Sequence, residues 1–272
     1  MFDPLPPDLA AALSRASARL GRFERLHYIS DAGSTNDVAL TLAGAGEPEG
    51  ISVLADVQHA GRGRRGRSWF SPPGAGLYLS TIVRPRGTAN GMPLVTLGAC
   101  VAAAGAVRAV AALPIELKWP NDLVIGRPWR KLGGVLSEAI GAGAAIEAVV
   151  VGIGINMLQV AYPREIADRA TSIETELGRP VERAPLVVAL LEALATLADR
   201  LNAGADDLIC REWRELARPG LAGAAVRWHD RDGEHAGRAR DIDRDGALLV
   251  ETNGRLERII AGEVHWEGLS RG

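Results

Sequence analysis

Blocks of apolar residues, separated by polar and glycine-rich breaks, divide the chain into short elements. A tail from Pro4 to Pro7 precedes a helix predicted from Asp8, placed to cap it, to about Leu20. A strand is expected over Phe23–Ile29. "SDAGSTND" then turns the chain into a helix over Asn36–Ala43 that Ser34 or Thr35 can cap. "ISVLADV" is apolar and β-branched, as a buried strand is, and "GLYLSTIVRP" reads as another. Pro93 opens a long helix to about Leu113, in the first-turn position that proline favours. Four strand-like runs follow with short breaks: "IELKW", "DLVI", "KLGGVLSEAI" and "AIEAVVVGIGINM". Pro185–Asn202 and Asp206–Arg218 read as amphipathic helices. From about Leu221 the texture changes to short strands, with turns such as Asp232-Gly233 and Asp245-Gly246. Helices and strands that alternate irregularly, with hairpins side by side, predict an α+β fold with a mixed sheet rather than a doubly wound parallel one. A first unit is expected over residues 1–219, with a tail over 1–22, and a small β-barrel over 220–272.

Composition narrows the class. With 272 residues, 47% hydrophobic and 24% charged, the chain has the make-up of a soluble globular protein with room for one large unit and a small one. A net charge of −2 argues against a molecule built to coat nucleic acid. Cys100 and Cys210 lie far apart in predicted helices, which suits reduced core thiols and excludes a disulfide framework or metal cluster. His27, His59, His229, His235 and His265 have no metal-ligand spacing. The start, "MFDPLPPDLA", has neither the basic head nor the apolar run of a signal peptide. Val95–Leu113 is rich in Ala and Gly and carries Arg108, so it reads as a buried helix; a membrane span wants about 20 strongly apolar residues. A cytoplasmic protein is expected.

The chemistry concentrates in "QHAGRGRRGRSWFSPPG", Gln58 to Gly74. Gly61, Gly63 and Gly66 have the G-x-G-x-x-G spacing of a dinucleotide-binding turn, but every x is arginine. That motif needs a helix directly after the third glycine, and an acid about 20 residues further on for the ribose. Here Gly66 runs into Arg-Ser-Trp-Phe-Ser-Pro-Pro-Gly, which cannot open a regular helix. No Asp or Glu occurs between Asp56 and Glu116, so the dinucleotide reading fails. A nucleic-acid surface would spread its basic residues over a face and raise the charge of the whole domain. A solvated basic loop is the plain alternative. Against it stand the apolar strands on either side and Trp69-Phe70 beside the charges. A phosphate cradle accounts for more: glycines bring backbone N–H groups close to an anion, and guanidinium forks grip phosphate oxygens. Alone, that specifies a phosphorylated small molecule and nothing narrower.

Further motifs narrow it. "KWPND", Lys118 to Asp122, sets a lysine, an indole and two polar acceptors at a strand end, with Pro120 fixing the turn. "KLGGVLSE" begins with Lys131 at the mouth of a buried strand, where a lysine either stabilises charge or merely starts a strand in solvent. "GIGIN", Gly152 to Asn156, is an apolar strand ending in glycines and an amide. Together with "GSTN" (Gly33–Asn36) and the arginine loop, these motifs resemble the biotin–protein ligase family in content and order, over Ile29 to Ile173. The β-rich tail resembles that family's SH3-like C-terminal domain. The chain looks like the short form, without an N-terminal DNA-binding domain.

The resemblance implies a mixed-sheet catalytic domain over 1–219, an SH3-like domain over 220–272, and a two-step reaction. Biotin and MgATP would give biotinoyl-5'-AMP and pyrophosphate; a lysine of a biotin carboxyl carrier protein would then displace AMP. By the same resemblance Lys131 and Arg62 are catalytic. Ser34, Thr35, Asn36, Gln58, Gly61, Arg62, Gly63, Arg64 and Lys131 would bind biotin. Arg62, Arg64, Arg67, Trp69, Lys118, Asn121 and Asn156 would hold ATP or the adenylate, with Arg65 expected to point away from an extended loop. Asp122 either contacts magnesium or orients the acceptor lysine. Some members stack a tryptophan on adenine; this chain has none between Trp129 and Trp213, and "ATSI" (Ala170–Ile173) occupies that region. ATP and Mg2+ are expected as substrate and activator, with no tightly bound cofactor, no nucleic-acid or membrane partner, and a monomer or weak homodimer. Attachment of lipoate or octanoate, and a non-catalytic biotin or nucleotide sensor, are the alternatives.

Overall fold

The computed structural model describes residues 2–85, 91–142, 145–230, 233–260 and 262–270. The expected Asp232-Gly233 turn lies partly outside them. Seven strands form the larger sheet: β1 (Leu26–Ala32), β2 (Ser52–Gln58), β3 (Gly76–Val83), β4 (Glu116–Lys118), β5 (Asp122–Ile125), β6 (Arg130–Ala142) and β7 (Ala145–Asn156). Their order is β1-β2-β3-β7-β6-β5-β4. β1 and β2 run parallel, and every other neighbouring pair is antiparallel. This is the mixed sheet expected from the irregular alternation. A parallel pair needs a crossover, which α2 (Thr35–Gly44) provides.

The remaining helices are α1 (Pro7–Leu20), α3 (Gly91–Ala111), α4 (Arg164–Ala167), α5 (Ile173–Leu177), α6 (Arg183–Asn202) and α7 (Asp206–Leu221). Side chains alternate across a strand, and both faces of this sheet are covered. Val149, Val151, Ile153 and Ile155 of β7 join the main core with α1, α3, α6 and α7. Ala148 and Val150 face a smaller core with Ala39 and Ala43 of α2. Continued along β7, the α2 face carries Gly152, Gly154 and Asn156, where the apolar run gives way to glycine and amide. α3 is long and apolar enough to span a membrane by composition alone. It is instead a core helix, with Ala99, Cys100, Ala103 and Val107 fully shielded. Cys100 and Cys210 are buried and free in α3 and α7.

Two local expectations shift. α1 begins at Pro7, whose fixed φ suits a first turn, so Pro6 takes the cap position and Asp8 sits inside the helix. Phe23 ends a short 3-10 turn, Gly21–Phe23, and the strand starts only at Leu26. The turn delivers the Phe23 ring, fully buried, to the main core.

The second sheet contains β8 (Ala225–Asp230), β9 (Gly233–Ile242), β10 (Leu248–Thr252), β11 (Arg255–Ile259) and β12 (Val264–Trp266). It is antiparallel throughout, in the order β11-β10-β9-β8-β12. The Asp245-Gly246 turn joins β9 to β10, with Gly246 at φ +83°. Tryptophans tie this sheet to the rest. The Trp119 indole donates to the Gly246 carbonyl at 2.9 Å, and the Trp266 indole to that of Gly220 at 3.2 Å. Trp129 and Trp266 pack ring to ring at 6.3 Å. The expected boundary at 219/220 falls within the last turn of α7.

Candidate active site

A cleft of about 570 Å³ opens where the α2 face of the larger sheet meets the second sheet. One end is neutral and polar. Ser34, extended at the end of β1, sets the start of α2, and Ser34, Thr35 and Asn36 are all buried. No hydroxyl caps the helix here. Thr35 instead donates to Oε1 of Gln58 through its backbone N–H (2.8 Å), and its hydroxyl lies 3.0 Å from the same oxygen and 2.7 Å from the Ser80 hydroxyl. The Gln58 amide donates to Ser71 at 3.0 Å. Ser80 of β3, fully buried, donates to Oδ1 of Asn36 at 2.6 Å. Nδ2 of Asn36 donates to Glu138 of β6 at 2.7 Å. Thr35, Asn36, Gln58 and Ser80 thus answer one another's polar atoms, as burial demands.

The arginine loop folds over this end as a tight hairpin rather than an extended arm. Trp69 N–H donates to Gly61 (2.8 Å), Gly63 N–H to Arg67 (2.6 Å), and Arg64–Gly66 form a 3-10 turn. Arg65 has φ +58° and lines the cleft, so strand alternation does not turn it away. Gly61 does not line the cleft; a Cβ there would lie 2.6 Å from the Trp69 carbonyl, so the hairpin itself requires glycine. Gly63 does line it.

The four arginines are held differently. Arg62 pairs with Asp37 at 2.5 Å and Glu138 at 2.9 Å. Arg67 pairs with Glu263 of the second sheet, and its hydrogen bond draws the Glu263 carboxyl below the usual range. Arg64 lines the cleft half-buried and pairs with no carboxylate among the described residues. Burial lowers its pKa, opposed by Asp122, and a guanidinium stays charged regardless.

Lys131 stands at the centre. Its backbone is bracketed by the segment after α4: Lys131 N–H donates to Arg169 at 2.6 Å, and Thr171 N–H to Lys131 at 3.0 Å. Its ammonium pairs with Asp122 at 2.5 Å and lies 5.4 Å from the Trp69 ring. The hairpin from β5 into β6 places it opposite Val124, after a bulge at Leu123/Val124. Trp69 packs against Gly154, and its indole N–H is buried without an acceptor among the described residues. Lys118 is largely buried near Ser270 (3.3 Å) and the Trp266 ring (5.6 Å), and burial pulls its pKa down.

Asn121 and Asn156 line the cleft but also hold backbone, donating to Val135 (2.7 Å) and Thr171 (2.9 Å). Beyond Asn156 lie Tyr162 and Phe70, edge to face at 6.3 Å, which supply aromatic surface where the sequence offered no tryptophan. His59 faces outward, paired with Asp31. Among the described residues no three His, Cys, Asp or Glu side chains converge as metal ligands. All the residues expected to bind except Gly61 therefore share one cleft. Sequence reasoning missed Ser80, Glu138, Asp37 and Glu263. Two of them had a signal: Ser80 is a hydroxyl in a mostly apolar strand, and Glu138 closes the "KLGGVLSE" motif.

Residues 32–156 match the biotin/lipoate A/B protein ligase family, and residues 223–265 the biotin protein ligase C-terminal domain. The chain is 33% identical over 244 residues to the "Bifunctional ligase/repressor BirA" of Bacillus subtilis (strain 168), covering 89% of this chain and 74% of that one. It is 33% identical over 241 residues to the "Biotin--[acetyl-CoA-carboxylase] ligase" of Paracoccus denitrificans, covering 86% and 98%. A solved structure of "Biotin protein ligase from Aquifex aeolicus in complex with biotin and ATP" superimposes with a TM-score of 0.77 at 27% identity, covering 90% of this chain and 100% of that one.

Proposed function

The chain belongs to the biotin protein ligases, and from that premise we propose that it activates biotin with MgATP and passes it to a lysine of a biotin carboxyl carrier domain. The observation that carries this reading is a single cleft with a neutral, hydrogen-bonded end and a cationic centre. The neutral end, Ser34 to Asn36 with Gln58 and Ser80, suits a ureido group, because leaving such groups unpaired costs about 1–3 kcal/mol. A fatty chain would call for an apolar tunnel instead.

In the first step a carboxylate oxygen attacks the α-phosphorus of ATP and the bond to pyrophosphate breaks. Two anions must approach, so positive charge held in place beforehand lowers the barrier. Arg64, without a carboxylate partner, and Lys131 are the groups positioned to supply it. In the second step the acceptor amine attacks the acyl carbon, AMP leaves, and the amine loses a proton. Lys131 would stabilise the developing oxyanion, and Asp122, its partner, would meet either the arriving amine or the magnesium of MgATP. Magnesium bound largely through phosphates and water needs only one or two such carboxylates. Trp69 would wall the adenylate, a ligand oxygen accepting its unpaired indole N–H. Lys118, Asn121 and Asn156 would lie along the nucleotide. A repressor role forms no part of the proposal.

The test is detection of acyl-adenylate by mass spectrometry after incubating the protein with MgATP and biotin, lipoate or octanoate separately. Biotinoyl-AMP alone, followed by transfer to a carrier domain, is expected. An adenylate with lipoate or octanoate only would move the chain to lipoyl chemistry, and none at all would make the cleft a sensor.

A further inference from the structure

We infer that Glu138 is a positioning residue, seating the amide of Asn36 and the guanidinium of Arg62 through one carboxylate oxygen. The inference rests on the proposed reading of the cleft as a biotin site. Oε2 of Glu138 accepts from Asn36 Nδ2 at 2.7 Å and from Arg62 Nη2 at 2.9 Å. An ionised carboxylate can only accept, so it decides which way round the Asn36 amide lies. Nitrogen faces Glu138, and oxygen is left for the Ser80 hydroxyl at 2.6 Å. With the single Ser80 proton committed there, the Ser80 oxygen is left to accept from the Thr35 hydroxyl, 2.7 Å away. One acceptor oxygen thereby sets the donor and acceptor sense from Asn36 through Ser80 to Thr35. A ureido group has a fixed arrangement of N–H and C=O and needs a lining whose sense does not flip.

The same oxygen constrains the arginine loop. Arg62 is answered inside the protein by Glu138 and Asp37, whereas Arg64 has no carboxylate of its own among the described residues. An arriving carboxylate must compete with two internal ones for Arg62, but with none for Arg64. Arg62 therefore fastens the loop to α2 and β6, and Glu138 is the point where the loop and the neutral end meet.

The test is calorimetric biotin titration of the full chain as wild type, Glu138→Ala, Glu138→Gln, Arg62→Ala and the double alanine variant, with melting temperatures and the KM for ATP in the adenylate assay alongside. Glutamine keeps an oxygen that both donors can reach, loses the charge, and has an NH2 in place of the second oxygen. Glu138→Ala should weaken biotin binding by about tenfold or more while the KM for ATP stays within about threefold. Glu138→Gln should recover most of that loss, and alanine at 138 should cost less when Arg62 is already absent. Unchanged biotin affinity in Glu138→Ala would overturn the inference. So would a glutamine variant as impaired as alanine, additive losses in the double variant, or equal losses for biotin and ATP tracking a fall in melting temperature. A wild-type chain that binds no biotin would instead remove the functional reading beneath it.

Discussion

A Cβ on Gly152 would stand 2.0 Å from Oδ1 of Asn36, and one on Gly154 would stand 2.5 Å from the Trp69 indole. These two glycines let a side chain of α2 and one of the arginine loop lie flat on β7. Gly152→Ala should cut biotin affinity by about tenfold or more while leaving the far-ultraviolet circular dichroism unchanged. Undiminished binding in that variant would take Asn36 out of the site. Lys118 offers a pH signature. Burial holds its pKa below the ordinary lysine value, and a phosphate beside it favours the protonated form. Nucleotide affinity should therefore be greatest below that lowered pKa and fall as pH rises through it, earlier than for an exposed lysine. Lys118→Arg, charged throughout, should flatten this alkaline limb of the KM for ATP. A limb identical in both proteins would exclude Lys118 as its source. At this scale the sequence marked the residues whose types are chemically loud, arginines between glycines and a lysine opening a strand. Glu138 stood in the "KLGGVLSE" motif without a role and Asp37 was silent, since a carboxylate on a strand or an early helical turn looks alike whether it faces water or an arginine.

Gly50, in the loop between α2 and β2 with φ +93°, packs against the turn after α1. A Cβ there would sit 2.2 Å from the Arg22 carbonyl oxygen. Backbone cannot swing aside as a flexible side chain can, so Gly50→Ala should destabilise the chain by about 2 kcal/mol or more, through strain and clash together. Urea unfolding should show a lower midpoint with the slope unchanged; an unaltered midpoint would mean that the turn is not fixed by this contact. The strands were legible because β2, β3 and β7 are covered on both faces and so read as continuous apolar runs. Element ends were less so. Phe23 has the apolar character of a strand residue but is buried from a turn, and the Asp8 cap lost to the proline beside it. The arginine loop could be assigned its chemistry but not its shape. Its hairpin depends on left-handed backbone at Arg65 and Gly66, which glycine allows and arginine ordinarily resists.

At the scale of the molecule, the second sheet forms part of the cleft wall through Glu263, Val264 and His265. The texture change near Leu221 revealed that the sheet exists, but no periodicity could reveal where it docks. Arg67 and Glu263 bind across that boundary. The Glu263 carboxyl is held below its ordinary value, so the contact is fully present above the usual glutamate range and is lost as pH falls through the lowered value. Both side chains are partly exposed, and the contact is expected to be modest in energy. Glu263→Gln should speed hydrogen exchange in residues 63–68 at neutral pH, and the gap from wild type should close as acid protonates Glu263. Equal exchange at neutral pH would mean that the loop is held by its own hairpin alone.

The cleft is also assembled from segments made at very different times. On a ribosome, where the N-terminal part of a chain emerges and folds first, the pocket at Ser34–Asn36 would exist long before Glu263 and Ser270 have been added. Until then Arg67 lacks its carboxylate and Lys118 its serine and indole. A nascent chain would therefore present the neutral end of the cleft well before the wall from the second sheet exists, and the full lining forms only with the last residues.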